Sequence, residues 1–214
     1  MSDPVKSTAG RGTRRAAQAR ATRRRIIDAA LELFQRQGYA ATTLDQIAAA
    51  AGVAVQTVYF HFGNKATVLK EIVDVLAVGD DEPIPVLDRP WAQQVRDEPD
   101  GRRAMAIWLT NSRAIFGRVA PIMKIVRDAA GADAEMAAQW ETNQNQRYIA
   151  HHTLARQLAD KQALRPDLST EEAADVIFTL VSFEVYLLLT DVRGWTPDRW
   201  ERWMNKILAD AILR

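Results

Sequence analysis

Apolar residues recur at helical spacing along most of this chain, and no stretch alternates with the two-residue rhythm of a strand. Ile26, Ile27, Ala30, Leu33 and Phe34 make one stripe and predict an amphipathic helix over 22–37, stopped at Gly38. Leu44, Ile47 and Ala48 predict a second helix over 44–51. Thr43 and Gln46 stand before it at capping-box spacing, and Gly52 ends it. A third segment, over 55–61, turns Val55, Val58 and Phe62 inward and leaves Gln56, Thr57, Tyr59 and His61 outward. Asn64 is placed to cap a fourth helix to Ala77, with Val68, Leu69, Ile72, Val75 and Leu76 on one side.

Gly79 to Pro90 carries Pro83, Pro85, Pro90 and four acidic residues, and is expected to be an irregular connection. It either covers a pocket entrance or spans a gap. From Asp100 the helical pattern resumes, with helices expected over 100–116, 119–130, 132–162, 169–191 and 197–213. Pro121 fits the first turn of its helix. Arg165-Pro166-Asp167 is a break, Ser169 and Glu172 have capping-box spacing, and Thr196-Pro197 is a helix start. The expected fold class is all-α. An N-terminal three-helix helix-turn-helix domain over 21–66 precedes a helical C-terminal domain over 67–214, behind a flexible basic arm over 1–20.

Composition narrows the function. The 214-residue chain has no cysteine, which excludes disulfides, thiolate metal sites and thiol nucleophiles. Its N-terminus is polar and basic rather than that of a signal peptide, and the apolar run Val176–Leu189 is short and interrupted by Glu184. The expectation is a soluble, cytoplasmic protein with no membrane partner. The net charge of +1 conceals an asymmetry: residues 1–70 hold 11 Lys/Arg against 4 Asp/Glu, and the remainder is net acidic. A basic N-terminal third suits a nucleic-acid module joined to a domain with another task. Arg11, Arg14, Arg15, Arg20, Arg23, Arg24 and Arg25 would add sequence-independent phosphate or minor-groove contact; the alternative is a tail that aids solubility.

Two short helices joined by a Gly-containing turn form a helix-turn-helix, whose second helix fits the major groove of duplex DNA. The same pattern also occurs as an idle αα-hairpin. Gln56 and Thr57 have side chains that reach base edges, while Tyr59, His61 and Lys65 carry donors for phosphate oxygens.

The order Ile26-Ile27-Asp28-Ala29-Ala30, Leu33-Phe34, Gly38-Tyr39, Thr42-Thr43, Ile47-Ala48, Ala51-Gly52-Val53, Thr57-Val58-Tyr59-Phe60-His61-Phe62, Asn64-Lys65 and Leu69 resembles the DNA-binding domain of the tetracycline-repressor (TetR) family. The resemblance covers residues 22–70 and joins residue types, helix lengths and gaps. It implies a dimeric regulator on a palindromic operator, nucleoid-associated, and released by a small ligand in the C-terminal domain. It implies that Thr43 caps and touches phosphate, that Gln56 and Thr57 face bases, and that Tyr59, His61 and Lys65 clamp the backbone. It also implies that the fourth helix transmits the ligand signal and that the last two helices pack against their copy. Many members have a polar residue where this chain has Ala54 and Val55, which weakens side-chain capping of the recognition helix and leaves fewer polar groups for base readout.

In the C-terminal domain Trp108, Asn111, Phe116, Trp140, Gln144, Tyr148, His151, Phe183, Glu184 and Tyr186 are the aromatic and polar residues able to line a ligand pocket. Each aromatic taken singly is better explained as core. Glu184, a carboxylate inside an apolar run, either meets an effector or pairs with an arginine. Adjacent His151 and His152 point about 100° apart on a helix and do not chelate together well. No metal, cofactor or catalytic residue is assigned. The leading expectation is a ligand-responsive repressor. The alternatives are a ligand-independent regulator of the same fold, or a helical carrier or enzyme.

Overall fold

The computed structural model describes residues 9–80, 82 and 84–214, and of residues 9–13 the backbone alone. Ten α-helices carry the described chain, which contains no strand: α1 (Ala9–Gln37), α2 (Leu44–Ala51), α3 (Val55–Phe62), α4 (Lys65–Val78), α5 (Pro90–Asp97), α6 (Gly101–Ala130), α7 (Ala134–Asp160), α8 (Thr170–Leu180), α9 (Phe183–Leu187) and α10 (Pro197–Ile212). The chain divides into two compact units, the first ending at Ile72 and the second beginning at Val73. The division falls inside α4, later than the boundary expected after residue 66.

In the first unit Ile26, Ala30, Phe34, Ile47, Val58, Leu69 and Ile72 are completely buried. The local signals behave as their chemistry requires. Thr43 accepts from the Gln46 N–H at 3.2 Å, and the Gln46 side chain accepts from the Thr43 N–H at 3.0 Å. Gly52 closes α2 in the left-handed region at φ 65°, where a Cβ would be strained. Asn64 Oδ1 accepts from the Thr67 N–H at 2.8 Å.

One expectation is corrected here. The flexible arm over 1–20 is helical from Ala9 onward, continuous with α1; residues 1–8 lie outside the described residues. The segment Ala16–Ala21 is Ala, Gln and Arg, among the best helix formers. Once the packed turns around Ile26 nucleate the helix, each further residue adds a hydrogen bond. A helix with no buried face has no apolar period, so periodicity alone missed it; residues 14–21 are exposed.

The second unit packs α6 centrally against α5, α7, α9 and α10, and α8 against α7 and α10. Three boundaries differ from the pattern-based expectation. First, α6 is continuous through Pro121, with no break between 116 and 119. Proline there deletes only the bond to the Gly117 carbonyl, and burial of Phe116, Val119, Ala120, Ile122 and Met123 outweighs that loss. Second, Pro90 opens an extra helix, α5, that buries Ala92 and Val95 at i, i+3. Third, the helix expected over 169–191 breaks at Val181 and Ser182. Ser182 caps α9 by accepting from the Val185 N–H at 3.2 Å, and residues 188–192 follow as a π turn. Arg147 on α7 holds the break, donating to the carbonyls of Phe178 at 2.7 Å and Val181 at 3.3 Å. Thr170–Val192 is long and apolar enough to cross a membrane by length and composition. The segment is broken at Val181 and Ser182, and 39% of its apolar window is buried, including Ala173, Ala174, Ile177, Val181, Phe183 and Tyr186.

Candidate functional site

On α3, buried Val58 and Phe62 anchor the inner face. Gln56, Tyr59 and Phe60 lie at i, i+3 and i+4 and share the outer face, Tyr59 being 54% and Phe60 85% exposed. Thr57 and His61 flank that face and are half-buried. Ala54 forms the N-cap without a side-chain hydrogen bond, and the Thr57 N–H donates instead to the Ala54 carbonyl at 2.9 Å. Exposed Thr43 stands at the entrance of α2. The arrangement offers an amide, a hydroxyl and a phenol beside two free aromatic edges, a set suited to a groove lined by phosphates and base edges.

Phe60 is the residue that pattern reading passed over, because apolar residues are expected to point inward. Its position opposite Val58 and Phe62 was the available signal. Lys65 is also placed differently from a free phosphate clamp. Its ammonium donates to the Tyr39 carbonyl at 2.8 Å and the Thr42 carbonyl at 2.9 Å, and lies 4.1 Å from the Tyr39 ring centroid. It therefore pins α4 to the α1–α2 connection, with at most one N–H for a phosphate. Arg23 is likewise engaged, pairing with Glu71 and lying over the Phe62 ring at 5.5 Å, and Arg24 pairs with Asp28 at 2.9 Å. Arg14, Arg15, Arg20 and Arg25 remain exposed along α1.

The eight leading pocket candidates divide among three places in the second unit. Trp108 and His151 meet at 6.1 Å between centroids, and Phe178 continues the stack 6.2 Å from His151, with Tyr148 5.6 Å beyond. Gln144 accepts from Arg147 at 3.1 Å, and the Arg147 guanidinium lies 3.9 Å from the Phe178 ring centroid. Trp140 and Phe183 form a separate edge-to-face pair at 5.7 Å. Burial, with the Arg147 charge beside it, holds the His151 pKa down at about 3, so the ring is neutral at neutral pH. Trp108 Nε1, His151 Nδ1 and Glu184 Oε2 are buried without a hydrogen-bond partner among the described residues. Glu184 makes no ion pair there with an arginine, although its charge acts on Arg147 through space. His152 turns to the Tyr148 ring, away from His151.

Asn111 alone of the eight lines a cavity of about 440 Å³. Its walls come from the end of α4 (Ala77, Val78), the turn at Val86 and Arg89, α5 (Pro90, Trp91, Gln94) and α6 (Asn111, Ala114, Ile115, Arg118). The Pro-rich connection thus forms one side of a cavity. Arg89 holds it in place through two bonds to Asp80, at 2.6 and 2.9 Å, and one to the Ile84 carbonyl at 3.1 Å. The guanidinium lowers the Asp80 pKa to about 2. Arg118 reaches from α6 to the end of α4, donating to the Leu76 carbonyl at 2.8 Å and the Ala77 carbonyl at 3.2 Å. Of these walls, Arg89, Trp91, Gln94 and Arg118 were not among the candidates. Their convergence depends on α5 and on the path of the connection, which carry no local signal for it.

Residues 26–72 match the family described as bacterial regulatory proteins, tetR family. Over 58 residues the chain is 55% identical to the uncharacterized HTH-type transcriptional regulator TtgW of Pseudomonas putida, covering 27% of this chain and 43% of that protein. It therefore spans less than half the length of that relative. Over 194 residues it is 29% identical to the HTH-type transcriptional regulator TtgR of Pseudomonas putida, covering 88% of this chain and 90% of the relative. Among solved structures, NalD, the secondary repressor of the MexAB-OprM multidrug efflux pump in Pseudomonas aeruginosa, has the same fold. The TM-score is 0.72 at 24% identity, over 92% of this chain and 98% of NalD.

Proposed function

We propose that this chain, whose residues 26–72 match the tetR family of bacterial regulatory proteins, is a member of that family and a DNA-binding homodimeric repressor. It reads a palindromic operator with α3 and leaves it when a small, largely apolar or aromatic effector occupies the second unit. The observation that carries the proposal is the outer face of α3. Gln56, Tyr59 and Phe60 are exposed on a helix whose inner face is fully packed. Gln56 and Thr57 contact base edges, and the Phe60 ring meets thymine methyl groups. Thr43, Tyr59 and His61 contact phosphates, the exposed arginines of α1 add sequence-independent attraction, and Lys65 acts chiefly by fixing the domain.

A single α3 reads too few base pairs for a specific site, and a two-fold dimer places two copies roughly 34–36 Å apart on one face of the duplex. Leu188 and Val192, 53% and 73% exposed, with half-buried Trp203 and Ile207, offer the apolar surface on the last two helical segments for that contact. Trp200, Met204, Leu208 and Ile212 are buried within one chain and take no part. The effector shifts the population of dimer geometries away from the one that fits both half-sites. The repressor title carried by NalD, whose fold this chain shares, is consistent with this assignment. The protein acts in the cytoplasm at the nucleoid.

The test is selection of genomic fragments by the purified chain, followed by titration of a selected fragment against salt. The expected outcome is a small set of two-fold symmetric sites whose affinity falls steeply between 50 and 200 mM salt. Retention of no fragment above bulk DNA defeats the proposal.

A further inference from the structure

We propose that the effector is an organic anion, an apolar or aromatic body bearing one carboxylate, and that Arg118 receives the carboxylate in the cavity between α5, α6 and the end of α4. The inference rests on the reading of this chain as a ligand-responsive regulator and names the chemistry of its ligand.

The sign of the cavity is the first argument. Two guanidinium groups, Arg89 and Arg118, stand in its wall, and no Asp or Glu does. The two differ in how their charge is met. Arg89 is neutralised by the two-point pair with Asp80 and carries a further bond to a carbonyl. Arg118 has no carboxylate within ion-pair distance among the described residues; Asp80 acts on it only through space. Its hydrogen bonds go to two carbonyls, through Nε and Nη2. A guanidinium has five N–H donors, so three remain for a ligand. Burial already works against its charge, and a partly buried cation without a counter-ion gains most from an anion that enters beside it.

The shape and remaining walls are the second argument. A volume of about 440 Å³ suits a small organic molecule. Trp91, Val86 and Ile115 supply flat and aliphatic surface for its body, and the Gln94 amide adds a donor near Arg89. A cationic ligand would meet the uncompensated charge of Arg118 and no carboxylate in the lining.

The position of Arg118 also ties the anion to the end of α4. The same guanidinium holds the last carbonyls of α4, and Gly79 follows with its Cα against it: a Cβ there would stand 3.3 Å from the Arg118 guanidinium carbon. A carboxylate on the remaining N–H groups of Arg118 draws on the same side chain that holds those carbonyls. Occupancy is thereby felt at the end of α4, whose own first turn is pinned by Lys65.

The experiment is calorimetric titration of the full chain with three acids and their primary amides: benzoate and benzamide, 2-naphthoate and 2-naphthamide, decanoate and decanamide. At least one acid should bind about tenfold or more tightly than its amide, the scale of a charge-assisted hydrogen bond. Arg118→Gln should bring acid and amide together. Asn111→Asp adds a negative charge to the wall without touching the α4 carbonyls, though it gives up the donation to the Ile107 carbonyl, and should weaken the acid about tenfold more than the amide. This second variant decides the matter where the first fails to fold. Equal binding of every acid and its amide, or acid affinity untouched by Asn111→Asp, overturns the anion site. Fragment selection on the same preparations separates the two readings. A chain that selects DNA but fails the acid-over-amide criterion loses the anion site alone. A chain that meets that criterion but selects no DNA keeps the site and loses the regulator.

Discussion

Phe60 and Trp108 are both large rings on helices, yet one is 85% exposed and the other 5%. The contrast extends to the units that hold them. In the first unit the groups beneath the candidate interface are satisfied: Thr43 and Gln46 cap each other, Lys65 holds two carbonyls, and Asn64 caps α4. Uncommitted side chains point to water. In the second unit the uncommitted groups point inward: Trp108 Nε1, His151 Nδ1, Glu184 Oε2 and Trp200 Nε1 are buried without partners among the described residues. Exposing a polar group costs little, whereas each buried and unsatisfied one costs about 1–3 kcal/mol. A surface that reads a groove favours the first arrangement, a stiff base under free side chains. A domain that must change its preferred geometry tolerates the second, because its native packing is less dominant over alternatives.

The largest expected effect tests the outward half of that contrast. Replacing Gln56 and Thr57 together by alanine should lower affinity for a selected operator about a hundredfold or more, at about 1–3 kcal/mol per lost base contact. Binding to random DNA should stay unchanged and the melting temperature should move little, because Gln56 is exposed and Thr57 only half-buried. Competition binding against random duplex measures the ratio. A uniform loss on both DNAs would move these residues to the phosphate class. Tyr59→Phe should give that uniform loss, by removing only the phenolic hydroxyl.

Next in size is Arg147→Met, which probes the inward half. The change leaves the Phe178 and Val181 carbonyls at the break between α8 and α9 without their donor and removes the cation stacked on Phe178. A loss of about 2–3 kcal/mol in unfolding free energy is expected from a hydrogen-bonded charge in this setting. Chemical denaturation measures it. An unchanged midpoint would mean that Ser182 alone sets the break.

His151 gives a smaller effect with a pH signature. Its folded pKa of about 3 lies below the ordinary value of 6.5. Between those values the unfolded chain binds the extra proton, so stability is complete above pH 6.5 and falls as pH drops toward 3. One proton corresponds to about 1.4 kcal/mol per pH unit. His151→Phe should flatten the slope by that amount between pH 6 and 4, read from denaturation at several pH values. A slope unaltered by the substitution would place the acid-sensitive group elsewhere.

What was legible in the sequence follows the same division. Helices α2 and α3 and the start of α4 were readable because their limits are set within a few residues, by Thr43, Gly52, Gly63 and Asn64. The limits of α6 and α8 are set from a distance. Packing carries α6 through Pro121, and Arg147, more than thirty positions away from the carbonyls it caps, supports the break before Ser182. At the candidate sites, Gln56, Thr57 and Tyr59 follow from a helical wheel. The engagement of Lys65 with Tyr39 joins residues 26 positions apart, and no periodicity encodes it. The cavity was less legible still. Its arginines are ordinary surface-type residues until α5 and the 79–90 connection bring Arg89 opposite Arg118.

The smallest expected effect makes the comparison like for like, because each unit contains one capping box. Thr43 with Gln46 opens α2, and Ser169 with Glu172 opens α8. Alanine at either N-cap removes the same kind of hydrogen bond, to a backbone N–H at 3.2 Å in one case and 3.1 Å in the other. Each should cost about 1 kcal/mol of stability. The two variants should then separate on DNA. Thr43→Ala should also weaken binding about threefold to tenfold on every sequence, by loss of one phosphate contact per half-site, while Ser169→Ala leaves affinity unchanged. Equal DNA affinities at matched stability would reduce Thr43 to a cap. The entrance of α2 would then drop out of the interface, and phosphate contact would rest on Tyr59, His61 and the arginines of α1.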